Sequence, residues 1–172
     1  MVMELNFGWT PQDILAARDR YRQNSAEMRR ETAAFASGKR IAAGKAEAGE
    51  LDAIIRWKSP RPLSRIMRGN TPDELSEALR VAVAATQVRT AVGVLCGLNG
   101  VDVAMASAIL TVIQPERHTV IEKRALDALG VSKSWLTVAD YLQYLGFCKG
   151  KAKELGLNLR DLDQGLWMLG RE

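Results

Sequence analysis

The sequence predicts an all-α protein, and three observations carry that prediction. Helix starts are marked by capping signatures, most plainly Thr10-Pro11-Gln12-Asp13 and Thr71-Pro72-Asp73-Glu74. In each, a hydroxyl cap, a first-turn proline and an early acid satisfy amides that a helix N-terminus leaves unpaired. Apolar residues recur at helical spacing between these signals. No run alternates long enough for a convincing strand; "RHTVIE", residues 117–122, is the one candidate and it is short.

Taken in order, Thr10 opens a long helix to about Ser37, whose Arg18, Arg20, Arg22, Arg29 and Arg30 lie among acids as a solvated face. "GKRIAAGKAEAG" reads as a soft connector, and "ELDAIIRWK" as a short amphipathic helix ended by Ser59-Pro60-Arg61-Pro62. "LSRIMRG" supplies one or two further turns. Thr71 opens "DELSEALRVAVAATQVRTAVGVL", a helix or a broken pair of helices. A tight Asn99-Gly100 turn leads into a helix from about Asp102 to Ile113, stopped by Pro115. "VIEKRALDALG" reads as a helix ending at Gly130. Thr137 and Asn158 cap the last two helices.

At 172 residues the chain suits one all-α domain, 1–172, or two small helical subdomains sharing a cleft. A net charge of +4 permits a polyanionic partner without requiring one. Cys96 and Cys148 sit in apolar helical surroundings and read as buried free thiols. Together with the single His118, read as a surface-loop histidine, they supply neither a structural zinc site nor an iron–sulfur site. No metal and no cofactor is expected, and neither a Ser/His/Asp constellation nor a Gly-rich nucleotide loop can be read. Trp135 and Trp167 occupy apolar helical positions and are expected in the core. Residues 1–9 lack the basic start and apolar core of a signal peptide, and no apolar run approaches the ~20 residues of a membrane span. The expectation is a cytoplasmic protein without a membrane partner.

Two stretches offer chemistry. At Asn99-Gly100, amides at a tight turn and a helix N-terminus form a natural oxyanion site, and Gly100 has no Cβ to block close approach. The alternative there is plain helix packing. "RWKSPRPLSRIMR" carries Arg56, Lys58, Arg61, Arg65 and Arg68 without an acid, with Trp57 among them. Cations for phosphate and an aromatic face for an unstacked base are what a nucleic-acid surface needs. The alternative is a solvated loop with Trp57 in the core.

Residues 98–130, "LNGVDVAMASAILTVIQPERHTVIEKRALDALG", resemble the helix-hairpin-helix region of the DNA base-excision glycosylase superfamily. Leu98, Gly100, Val101, Ala106, Ala108 and Leu110 match that pattern in register, and the hairpin with its helices spans about 86–113. The resemblance implies a glycosylase-like fold and DNA as partner. It implies contacts from Asn99, Gly100, Val101 and Asp102, which Trp57, Lys58, Arg61 and Arg65 would extend. Glu122 stands where the family has its catalytic aspartate, so the implied activity is monofunctional hydrolysis of an N-glycosidic bond.

The chain departs from the family three times. Asp102 replaces the second hairpin glycine, a good N-cap that repels phosphate. Ala104 stands where bifunctional members have a Schiff-base lysine, which excludes lyase chemistry through that residue. The acid is a glutamate, one methylene longer, and its other reading is a helix-end acid favoured by the dipole or paired with an arginine. Two alternatives therefore stand beside the enzyme: a non-catalytic module binding DNA or a partner protein, and a helical interaction module with no nucleic-acid role.

Overall fold

The computed structural model describes residues 2–171. They form α1 (Pro11–Gln23), α2 (Ser25–Ala42), α3 (Leu51–Lys58), α4 (Leu63–Gly69), α5 (Pro72–Ala84), α6 (Val88–Cys96), α7 (Val103–Ile113), α8 (Lys123–Ala128), α9 (Val138–Leu155) and α10 (Leu159–Leu169). A single 3-10 turn, Ala48–Glu50, leads into α3. No strand occurs among the described residues, so the all-α expectation holds.

The caps read from sequence are made. Thr10, Thr71 and Thr137 form reciprocal capping boxes with Asp13, Glu74 and Asp140. Asn24, Asp102 and Asn158 accept from the amides of Glu27, Met105 and Asp161. Each such cap stabilises its helix by about 1 kcal/mol.

The core is organised around α7. Every residue of this helix except Ala104 is buried, as expected of a helix apolar on all sides. Helices α2, α3, α5, α6 and α9 all pack against it. Helix α2 comes closest at Gly38, where a Cβ would overlap the Val112 carbonyl. On the far side, α1 lies along α10, and α10 packs on α8. The buried apolar side chains form one continuous cluster, from Met3 through Ile14, Ile54, Leu79 and Ile109 to Leu166.

Three sequence expectations are corrected. The long first helix is two helices, because Asn24 leaves the helical path and caps α2. Helix α2 then runs to Ala42, through half of the expected connector, because Ser37, Gly38 and Ile41 lie on its buried face. The 120–130 helix shortens to α8, with residues 118–122 in an extended path that pairs with no strand. The run from Asp73 proves to be the broken pair, α5 and α6, parted at residues 85–87. Of the two thiols, Cys148 is buried and Cys96 half-buried. Among the described residues no helix is long and apolar enough to cross a membrane.

The contact at Gly38 gives a stability test. Gly38→Ala must push α2 from α7 and should lower unfolding free energy by about 1–3 kcal/mol. Gly93→Ala, in α6 with open space around the new methyl, should instead raise it by up to about 1 kcal/mol. Urea unfolding of both variants checks the contrast.

Candidate functional site

The path to Glu122 is fixed by α7. The Ser107 hydroxyl donates to the Ala104 carbonyl at 2.7 Å and accepts from the Ile121 amide at 3.0 Å. That bond pins the extended segment, in which Val120 and Ile121 are buried, against the central helix. Glu122 follows at the N-terminal edge of α8, where its side chain makes no cap bond. Its Oε2 accepts from Lys58 Nζ at 2.9 Å instead, with the two side chains only 14% and 16% exposed. Its Oε1 is buried and accepts from no group among the described residues. Lys58 is the last residue of α3, so the pair bridges two elements distant in sequence.

Glu122 and Lys58 stand at a cleft of about 460 Å³. Tyr21, Trp57 and Trp167 supply aromatic surface there. Trp57 meets Phe35 edge-on at 5.8 Å, and Tyr21 meets Trp167 edge-on at 5.2 Å. The Arg124 guanidinium lies 4.1 Å from the centre of the Trp167 ring. Arg160 and Asp163 line the cleft's buried side. Arg160 Nε and Nη2 donate to the two oxygens of Glu31 at 2.9 and 2.6 Å, and Nη1 donates to Asp163. Tyr21 donates its hydroxyl to Glu31 at 2.6 Å.

This buried cluster shifts several titrations. Burial pushes Asp163 up to about 6, against the pull of Arg160 and with help from the negative charges of Glu122 and Glu31. Burial alone would raise Glu31, but bonds from Arg160, Tyr21 and Gln164 outweigh it and hold that carboxyl below its ordinary value. Burial also raises the Tyr21 phenol well above its usual range.

Beside this cleft, the α6–α7 corner packs on α4. Gly100 has φ +84°, a left-handed conformation that favours glycine. A Cβ there would lie 3.0 Å from Ile66 Cγ1 and 3.1 Å from Arg65 Cγ. Asn70 clamps the turn, accepting from the Asn99 amide at 2.8 Å and donating to the Asn99 carbonyl at 3.0 Å. Asp102 Oδ1 accepts from the Met105 amide at 2.8 Å. A second cleft, of about 660 Å³, is lined by Lys58, Arg61, Arg65, Gly100, Val101 and Asp102. Arg61 lies in the turn before α4 and Arg65 on α4 itself. Both are exposed, with no acidic partner among the described residues. A third cleft, of about 490 Å³, has Lys58, Asp102, Ala104, Glu122 and Trp135 among its lining residues.

The structure thus brings Trp57, Lys58, Arg61, Arg65, Gly100, Val101, Asp102 and Glu122 onto adjoining clefts, with Lys58 common to all three. Asn99 lies apart, tied to Asn70. Glu122 is paired, but with a lysine rather than an arginine. Trp57 is half-buried against the core and still lines a cleft, so both of its readings meet. Two residues are corrected outright. His118 is only 1% exposed, with Nδ1 3.3 Å from the Tyr141 hydroxyl, because residues 118–121 run inward against α7 and α9. Trp135 is 79% exposed, because it lies in a loop and not on a helix. Trp167 is only partly buried and faces the cleft. Sequence reasoning missed Tyr21, Arg160 and Asp163. A signal existed for the last: Leu159, Leu162, Asp163 and Leu166 follow the apolar stripe of α10, where an acid is out of place.

Asp163 and His118 oppose each other in acid. Burial, helped by the charges of Arg117 and Lys149, lowers His118 to about 4. The unfolded chain therefore binds a proton at His118 before the folded one does, and that contribution to stability is lost as pH falls from about 6.5. Asp163 holds its proton in the folded state up to about 6, so its contribution is lost as pH rises through that value. Asp163→Asn should therefore lose on the order of 2 kcal/mol of stability between pH 7 and pH 5, more than the parent protein loses. Urea midpoints at the two pH values measure it; equal pH slopes in variant and parent would contradict the shift at Asp163. No family model, curated protein or solved structure matches the chain, so the geometry of these clefts is the ground for a functional reading.

Proposed function

We propose that the chain is a DNA-binding protein built like the helix-hairpin-helix glycosylases, in which α6, the Gly100 turn and α7 are the hairpin. Its proposed reaction is hydrolysis of the N-glycosidic bond of a damaged or modified base. The observation that carries this reading is the position of Glu122. Its carboxylate stands at a 460 Å³ cleft with aromatic surface, beside an exposed cationic ledge. The volume is that of a small-molecule site. Trp57 and Trp167 suit a planar base, while Arg61 and Arg65 suit the phosphates of the strand that delivers it.

In such a reaction the C1′–N bond breaks with its electron pair leaving on the base, after the nucleotide has turned out of the stack. Positive charge develops on the sugar, and the Glu122 carboxylate stabilises it. Water adds its oxygen to C1′, and the proton it releases balances the charge on the departing base. Lys58 holds the carboxylate in one orientation by binding Oε2. Asp102 places a negative charge at the α7 N-terminus and weakens the hairpin's grip on phosphate. The alternative is a non-catalytic module that keeps only the fold, and the Lys58–Glu122 pair is the observation that favours it.

Glu122→Gln separates the two. Base release from duplexes carrying a panel of damaged bases should fall about 100-fold or more while DNA affinity is kept or rises. Alkali is applied after the reaction, since Ala104 leaves no amine at that hairpin position to cut the strand. A variant that mainly loses thermal stability would assign the pair a structural role, and a parent protein that releases no base would favour the binding module.

The ledge is tested separately. Arg61→Ala combined with Arg65→Ala should weaken duplex binding and lower the slope of log affinity against log salt by about two units. Titrations at several salt concentrations measure it. An unchanged slope would remove these arginines from the interface.

A further inference from the structure

Ahead of α1 the chain alternates. Met3 is buried and Leu5, Phe7 and Trp9 pack on the core, while Val2, Glu4, Asn6 and Gly8 are exposed. That period of two is the pattern of a half-buried strand, yet no strand lies beside it among the described residues. Bonds to α8 and α9 hold the segment instead. The Gln143 side chain on α9 takes both backbone groups of Met3, accepting from its amide at 3.0 Å and donating to its carbonyl at 2.6 Å. The Phe7 ring lies 6.3 Å from that of Phe147, also on α9. The Asn6 amide donates to the Leu129 carbonyl at 2.9 Å, and the Trp9 indole N–H donates to the Ala128 carbonyl at 3.1 Å. Residues 3–9 are thus a strap drawn across the end of α8.

At the other end of α8 stands Glu122. With six residues, this helix is far below the ~12–15 that stand alone in water. Outside contacts therefore fix where it lies. Its start is held by the Ser107–Ile121 and Lys58–Glu122 bonds, and α10 packs along its side. Its last carbonyls are of the kind a helix leaves without intrahelical donors, and the strap supplies donors to those of Ala128 and Leu129. Glu122 makes no cap bond to its own helix, so play in α8 acts directly on the Lys58–Glu122 pair. A displacement of about 1 Å at a reacting group can cost about a hundredfold in rate. Resting on the reaction proposed above, we propose that the strap is part of the site, and that Trp9 is a positioning residue acting on Glu122 through α8. The indole N–H, and not only the bulk of the ring, carries this role.

Trp9→Phe keeps an aromatic ring and removes the donor to Ala128. Gln143→Leu is its counterpart: it removes two bonds at the other end of the strap, where they reach α9 and not α8. Trp9→Phe should slow single-turnover base release from the damaged duplexes by about 10-fold or more. Duplex affinity should stay at the parent value, because Arg61 and Arg65 are not carried by α8. A second measurement needs no DNA. Acetylation of Lys58 by an amine reagent, followed by mass spectrometry, should quicken about 2- to 12-fold in Trp9→Phe, the worth of one hydrogen bond. Gln143→Leu should lower the melting temperature at least as much as Trp9→Phe, yet leave base release and Lys58 acetylation unchanged. Trp9→Phe that lowers only the melting temperature makes the strap purely structural and overturns the proposal, while the reaction stands. Equal losses of base release in both variants would do the same, since they would report general loosening. A parent protein that releases no base overturns the reaction, and the positioning role falls with it.

Discussion

The relation of four helices to one another depends on a single buried guanidinium. Arg160 on α10 binds both oxygens of Glu31 on α2 and one of Asp163 on its own helix, and reaches the Tyr21 hydroxyl of α1 at 3.3 Å. Its flat faces meet the rings of Tyr21, Phe35 and Trp57, at 5.7, 5.7 and 5.2 Å from their centres. Taking such charges out of water costs several kcal/mol per ion, which the Coulomb gain returns only when geometry and hydrogen bonding are good. Here Gln164 also donates to Glu31, at 2.9 Å, so both Glu31 oxygens are shared between donors. Two carboxylates face one guanidinium, and burial pushes Asp163 up to about 6 against the pull of Arg160, with a smaller push from the charges of Glu122 and Glu31.

The consequences run outward to the clefts. Trp57 is held between Phe35 and Arg160, which fixes the last turn of α3. Lys58 is the next residue, and α3 ends there as Ser59 turns extended ahead of Pro60. From the other side, α7 sets the path to Glu122 through Ser107 and Ile121. The ion pair is thus the meeting of two independently fixed segments. That geometry explains why a glutamate at a helix start forgoes the cap bond: its reach is set by the lysine and not by its own helix.

Legibility in the sequence divides along the range of the forces involved. Capping is local, so Thr10, Thr71, Asp102, Thr137 and Asn158 could be read from a few neighbouring residues. Asn24 was equally readable, since Asn-Ser-Ala-Glu puts an acid three positions after a capping residue. It was obscured by continuous helical periodicity on both sides. The extent of α2 was not legible: the Gly and Ala content of residues 38–49 suggests a connector, and only packing on α7 makes the first part helical. The Glu122 position and the cationic residues could be named, but not the partner of Glu122, because Lys58 lies 64 positions away. His118 and Trp135 were misplaced for the same reason. A residue's side of the surface is decided by what the fold brings against it, and for a loop neither period nor composition carries that information.

The pairing of charges separates the adjoining clefts into different chemical environments. At the Glu122 side, Lys58, Lys123 and Lys133 each have an acid within 2.9 Å, and the Arg124 guanidinium lies over the Trp167 ring. At the α4 side, Arg61, Arg65 and Arg68 have no acid beside them, and their field reaches into solvent over about a Debye length. A polyanion approaching this face meets these unpaired arginines. Lys58 lies on the boundary, lining both clefts, and its charge is paired with Glu122. The ion pair therefore does more than orient a carboxylate: it joins α3 to the start of α8 where the arginine ledge and the aromatic cleft meet.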